Sequence, residues 1–105
     1  MSKNWLLATT VTELKEKKAL FTEINELEIA LFWIDDKAYA MNNFCPHRGG
    51  PLYRGDIEED LTVRCPLHGW LFHLDSGKCI NIPDAKVNTF PTQIKDGNVY
   101  IDWQS

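Results

Sequence analysis

The sequence predicts an all-β fold, an antiparallel sandwich or partly open barrel. Three observations lead there. Apolar residues fall in short runs, several of them with period 2. Turn signals recur between the runs, at Asp35-Asp36-Lys37, Asp75-Ser76-Gly77 and Asp96-Gly97. Helical character is confined to a mild tendency over Val11 to Lys17, which reads as a short turn or loop.

The elements follow in order. Trp5-Leu6-Leu7-Ala8 is a first strand. Ala19 to Ile24 and Glu26 to Asp35 are two more. The second sets Leu27, Ile29, Leu31 and Trp33 against Glu28, Ala30, Phe32 and Ile34. Both faces are largely apolar, so this strand is expected at the centre of a sheet. After the Asp35-Asp36-Lys37 turn, Ala38 to Met41 returns. Thr62-Val63-Arg64 and Trp70 to Leu74 flank a loop, and Val87 to Phe90 and Thr92 to Lys95 follow. Asp96-Gly97 then signals a hairpin into Val99-Tyr100-Ile101.

A chain of 105 residues is one small domain. It buries roughly 65% of the surface its unfolded form would expose, so its core is modest. The longest nearly apolar run, Leu27 to Ile34, includes Glu28 and is too short to cross a membrane. No basic segment followed by a long apolar stretch opens the chain, so no secretory signal is expected. The net charge of −4 disfavours nucleic acid and anionic membranes as partners. Three cysteines cannot all pair, which argues against a disulfide scaffold and for a reducing, cytoplasmic setting.

The chemistry is concentrated in two fragments, Cys45-Pro46-His47 and Cys65-Pro66-Leu67-His68. The pattern is C-x-H and then C-x2-H, with 17 residues between them. Two thiolates and two imidazoles in this mixed order suit a [2Fe–2S] cluster in which two His replace two Cys on one iron. Each loop must then reach both metals, and the one- and two-residue spacings allow that. Pro46 and Pro66 fix φ and carry no N–H. Gly49, Gly50 and Gly69 permit close backbone approach. A structural zinc site is the competing reading, but its usual C-x2-4-C knuckle is absent from both loops. Two catalytic Cys–His pairs are a further option, without a recognisable nucleophile motif.

The remaining candidates have plainer readings. Cys79 is expected to be a small buried hydrophobe. His73 lies on the opposite strand face from Trp70, Phe72 and Leu74 and is expected at the surface. The acids at Glu58-Glu59-Asp60 read as a solvated face, or alternatively as a means of steering toward a basic redox partner.

Cys45-Pro46-His47-Arg48-Gly49-Gly50-Pro51-Leu52 and Cys65-Pro66-Leu67-His68-Gly69-Trp70 closely resemble the two cluster-binding loops of Rieske ferredoxins. The resemblance extends over essentially the whole chain. It implies a [2Fe–2S] cluster held by Cys45, His47, Cys65 and His68, with the second ring nitrogen of each imidazole near solvent as the electron port. It implies a basal β part from residues 1–41 and 84–105, with a cluster-binding part, 42–83, inserted into it. Pro83 sits where such proteins place a proline loop over the cluster; an ordinary turn proline is the other reading.

The resemblance is to the soluble, low-potential group. High-potential relatives carry an extra Cys in each loop, joined as a disulfide, where this chain has Gly50 and Leu67. They also place Ser and Tyr hydroxyls near the sulfurs, where this chain has Trp70 and Phe72. Fewer donors stabilise the reduced state less, which implies the lower part of a range of roughly −150 to +300 mV. The implied function is single-electron transfer between a flavin reductase and a terminal oxygenase, without a catalytic site of its own. The alternative is the small subunit of an NAD(P)H nitrite reductase, serving that enzyme's large subunit. Val87-Asn88-Thr89-Phe90-Pro91 and Asp96-Gly97-Asn98-Val99 look somewhat more like the latter. A complete Rieske oxygenase is not expected, because 105 residues leave no room for a catalytic iron domain beside this one.

Overall fold

The computed structural model describes residues 4–45, 50–58, 60–67, 69–82 and 84–103. Trp5–Thr10 forms β1 and runs directly into a helix, α1 (Val11–Lys17). The sequence alone suggests only a short turn or loop there. A capping pattern, Thr10-x-x-Glu13, makes it a helix. The Thr10 hydroxyl accepts from the Glu13 N–H at 3.1 Å, and the Thr9 hydroxyl donates to Glu13 Oε1 at 3.0 Å. Leu14, fully buried, fastens the helix to the core.

Three hairpins follow from paired residues at positive φ. Asn25 and Glu26 (51° and 68°) join β2 (Ala19–Ile24) to β3 (Leu27–Ile34). Asp35 and Asp36 (51° and 61°) join β3 to β4 (Lys37–Asn42). These are the left-handed conformations that a two-residue hairpin turn requires. They also trim the expected 26–35 strand by one residue at each end. Beyond the first cysteine loop come a 3₁₀ turn (Leu52–Arg54) and β5 (Asp56–Glu58), both unforeseen, then β6 (Thr62–Arg64) and β7 (Leu71–His73). Of the expected 87–90 strand only Thr89–Phe90 pairs, as β8. Asp96 and Gly97 turn β9 (Thr92–Lys95) into β10 (Asn98–Asp102).

The strands form three antiparallel sheets, in the orders β1-β10-β9, β2-β3-β4-β8 and β5-β6-β7. None closes into a barrel. β3 is central, and its two faces serve two cores. Ile29 and Leu31 join Leu14, Leu20, Val99 and Ile101 between the first and second sheets. Ala30 and Phe32 face the other way, toward Leu52, Val63, Phe72, Leu74 and both motif cysteines. A strand buried on both faces must be apolar on both faces, which explains its weak alternation.

Candidate metal centre

Each motif cysteine sits where a strand gives way to a short, closed loop. Cys45 follows β4 by three residues. Its N–H donates to the Gly50 carbonyl at 2.9 Å, and Phe44 bridges to Pro51. Cys65 directly follows β6. Its N–H donates to the Trp70 carbonyl at 2.8 Å, and its carbonyl accepts from the Gly69 N–H at 2.9 Å. Both loops are thus closed by a bond from the cysteine N–H to the carbonyl five residues on. Gly69 adopts φ +77° inside the second loop, a conformation that favours glycine.

The loops are brought against each other. A Cβ built on Gly50 would stand 2.9 Å from Leu67 Cγ and 3.2 Å from Cys65 Sγ. The backbone of the first loop therefore touches the second only because residue 50 has no side chain. Gly50 and Leu67, the positions matched to the missing disulfide, are neighbours in space. Cys45 and Cys65 are 2% and 1% exposed and share one buried cluster with Leu52, Val63 and Phe72. Two buried thiols in apposed loops, facing an apolar wall, are a soft donor set suited to iron–sulfur ligation. His47 and His68 lie outside the described residues, as do Pro46, Arg48, Gly49 and Pro83. Among the described residues no three metal-binding side chains converge.

The surroundings are apolar on one side and charged on the other. Phe72 is fully buried, with the half-buried Trp70 ring 6.5 Å away. On the outer side a cleft of about 350 Å³ is lined by Arg54, Asp56, Arg64, Cys65, Pro66 and Leu67. Hydrogen bonding to the Tyr53 hydroxyl holds Arg54 above its usual pKa. Arg64 pairs with Glu58 at 2.9 Å and its Nη1 donates to the Gly69 carbonyl at 3.3 Å. The pair is largely exposed, worth under about 1 kcal/mol, so its contribution is to brace the second loop. A larger cleft, about 680 Å³, lies between β4 and β9 and is lined by neither Cys nor His among the described residues.

Of the two other candidates, Cys79 takes the plain reading and His73 is less exposed than expected. Cys79 is buried with a free thiol, bridged to Phe72 and bonded through its N–H to Ala85. His73 is half-buried on β7 opposite Thr62, between inward-facing Phe72 and Leu74. Sequence reasoning passed over the asparagines. Asn81 Oδ1 accepts from the Leu71 N–H at 2.8 Å, where the second loop rejoins its sheet. Asn43, fully buried, ties both ends of the first loop. The signal was present: Asn42-Asn43 stands immediately before Phe44-Cys45, and Asn is a residue that bonds neighbouring backbone.

Comparison with known proteins agrees with this geometry. A family model for the Rieske [2Fe–2S] domain matches residues 4–91. The 3-phenylpropionate/cinnamic acid dioxygenase ferredoxin subunit of Escherichia coli K12 is 34% identical over 100 residues, covering 94% of this chain and 93% of its own. The corresponding protein of Photorhabdus laumondii is 37% identical over 97 residues, 91% of each chain. Among solved structures, a candidate NADH-dependent nitrite reductase small subunit from Mycobacterium tuberculosis superposes with a TM-score of 0.90 at 22% identity, over 100% of this chain and 99% of that one. The ferredoxin of carbazole 1,9a-dioxygenase from Nocardioides aromaticivorans IC177 gives 0.87 at 21% identity, over 96% and 99%. At those identities the two structures speak to the fold.

Proposed function

This chain belongs to the Rieske [2Fe–2S] domain family, and from that membership we propose that Cys45, His47, Cys65 and His68 bind the cluster. The protein is an electron-transfer protein carrying a Rieske [2Fe–2S] centre. We assign its partners as a flavin reductase on one side and a terminal oxygenase on the other. The observation that carries this assignment is the near end-to-end match to dioxygenase ferredoxin subunits. When bound, the cluster supplies a one-electron couple.

The chain's own residues prepare the site. Cys45 and Cys65 present buried thiols from two closed loops, and Phe72 and Leu52 keep water from their inner side. We propose His47 and His68 as the electron port toward partners. Residues 42–83 form the cluster-binding part of this reading, and 1–41 with 84–105 the basal part. The third sheet, β5-β6-β7, falls wholly within the former. No helix among the described residues is long and apolar enough to cross a membrane. That and the free buried Cys79 thiol support a cytoplasmic carrier.

A second reading is a nitrite reductase small subunit, favoured by the full-length superposition at a TM-score of 0.90. Native co-purification separates the two. A flavin reductase and a terminal oxygenase, with electrons passing from NADH through the carrier to oxygen-dependent turnover, is the expected result. Stable recovery with a large nitrite-reducing enzyme would overturn it in favour of the second reading.

The apolar wall bears on the potential. Trp70 and Phe72 offer no hydroxyl, and a value in the lower part of the Rieske range is expected by voltammetry at pH 7. Trp70→Ser or Phe72→Tyr should raise it by tens of millivolts where the new hydroxyl reaches a sulfur. About 59 mV is a tenfold change for one electron, close to the net worth of one hydrogen bond, ~1 kcal/mol. A wild-type value near the positive end would mean that backbone donors outweigh the missing hydroxyls.

A further inference from the structure

We propose that Asn43 is a positioning residue for the first cysteine loop, acting through two hydrogen bonds that it donates to Glu28; this rests on the cluster reading above. Asn43 is fully buried and makes four bonds. Its N–H donates to the Glu28 carbonyl at 2.9 Å, and its Nδ2 donates to Glu28 Oε1 at 3.1 Å. Its Oδ1 accepts from the Tyr53 N–H at 3.0 Å, and its carbonyl accepts from the Leu52 N–H at 2.7 Å. The loop bearing Cys45 and His47 runs between these contacts, from Phe44 to Pro51. One residue therefore holds the stem on which that loop leaves the second sheet and the stem on which it returns.

The chemistry fixes the amide's orientation. A carboxylate only accepts, so Nδ2 must face Glu28, and Oδ1 is then left for the Tyr53 N–H. Glu28 is itself anchored, on β3 opposite Glu23. The loop is thus referenced to β3, the central strand of the second sheet, which pairs directly with the β4 strand the loop leaves from. Gly50 shows how little slack that placement has, since its backbone lies against Leu67 and Cys65 Sγ. Groups that orient metal ligands without touching the metal typically matter about 10- to 100-fold in metal retention.

The network can be broken and rebuilt with nearly the same atoms. Glu28→Gln keeps an acceptor toward Asn43 Nδ2 and should behave as wild type. Asn43→Ala removes both side-chain bonds. Asn43→Asp sets a second carboxylate against Glu28. The double variant Glu28→Gln/Asn43→Asp restores donor to acceptor in reverse, with the second Asp oxygen still available to the Tyr53 N–H. The readouts are the rate at which an iron chelator bleaches each holoprotein, the EPR g-values of the reduced cluster, and far-UV circular dichroism.

Asn43→Ala and Asn43→Asp should lose the cluster about 10-fold faster or more, with shifted g-values. The double variant should recover most of that retention and the wild-type spectrum. If Asn43→Ala fails to fold, the comparison of Asn43→Asp with the double variant decides. Equal loss in those two, or wild-type retention and g-values in Asn43→Ala, would overturn the positioning role while leaving the carrier intact. Wild-type protein holding zinc and no sulfide would overturn both.

Discussion

Replacing Cys45, His47, Cys65 or His68 by Ala should abolish the cluster. The wild-type protein is expected to be red-brown, with two irons and two acid-labile sulfides per chain. Each of the four variants should be colourless or nearly so, and much less stable than the wild type. Both cysteines stand inside the core that covers one face of β3, beside Val63, Leu52 and Phe72. Losing the cluster would remove the cross-link between two loops that contribute to that core. Metal binding and folding are coupled in small domains of this kind, so the damage should spread from the loops to the third sheet. His73→Ala and Cys79→Ala are the controls. His73 sits on the ladder of β7, and Cys79 packs as an apolar group, so both variants should keep their colour. Iron and sulfide analysis with visible circular dichroism checks the set. A His73→Ala protein that bleaches beside a His68→Ala protein that does not would refute the ligand assignment.

Gly77→Ala should be the most damaging alanine substitution among the described glycines, because it combines backbone collision with a left-handed φ. Gly77 closes the turn after β7 at φ +78°. Its N–H donates to the His73 carbonyl at 2.8 Å, and its own carbonyl accepts from the Val87 N–H at 2.8 Å. A Cβ there would fall 1.9 Å from the Val87 carbonyl oxygen and 3.1 Å from Thr89 Cγ2. The obstacle is backbone, which cannot rotate away as a side chain can. Left-handed strain costs roughly 1–2 kcal/mol, and forced overpacking adds about 1–3 kcal/mol. The sum is a large share of a small domain's stability, about 5–15 kcal/mol. Gly97 isolates the first term. It has nearly the same φ, +77°, with nothing within 4 Å of its would-be Cβ. Gly97→Ala should therefore cost only the strain, and Gly77→Ala strain and collision together. Thermal unfolding of the holoproteins should show a gap of roughly 4–8 °C or more, since 1 kcal/mol is worth about that in a domain of this size. Equal losses at the two glycines would show that the turn at Gly77 relaxes freely.

The ligand pattern needed no structure to be read. Cys45-x-His47 and Cys65-x2-His68 restrict the chemistry because few centres accept two thiolates and two imidazoles at those spacings. Two of the three hairpins were equally legible, since Asp35-Asp36 and Asp96-Gly97 suit the left-handed turns they make, whereas Glu26 of the Asn25-Glu26 turn reads as part of a strand. The double-sided apolarity of Leu27–Ile34 announced a central strand because burial on two faces leaves no position for a run of polar residues.

Other features came only with the tertiary structure. Asp56–Glu58 is too short and too polar to signal a strand, and pairs because β6 lies beside it. Val11–Lys17 is helical because Thr10 caps it and Leu14 finds a core. The close approach of Gly50 to Leu67 and Cys65 joins residues far apart in the chain, and no local pattern records such a distance. The same holds for Asn43, whose partners Glu28 and Tyr53 lie 15 residues before it and 10 after it. By itself the sequence determined which atoms are available to bind the metal, because ligand chemistry resides in residue type and short spacing. Only the tertiary structure decided how the two loops are held against each other, because that depends on hydrogen bonds and packing between segments the sequence keeps apart.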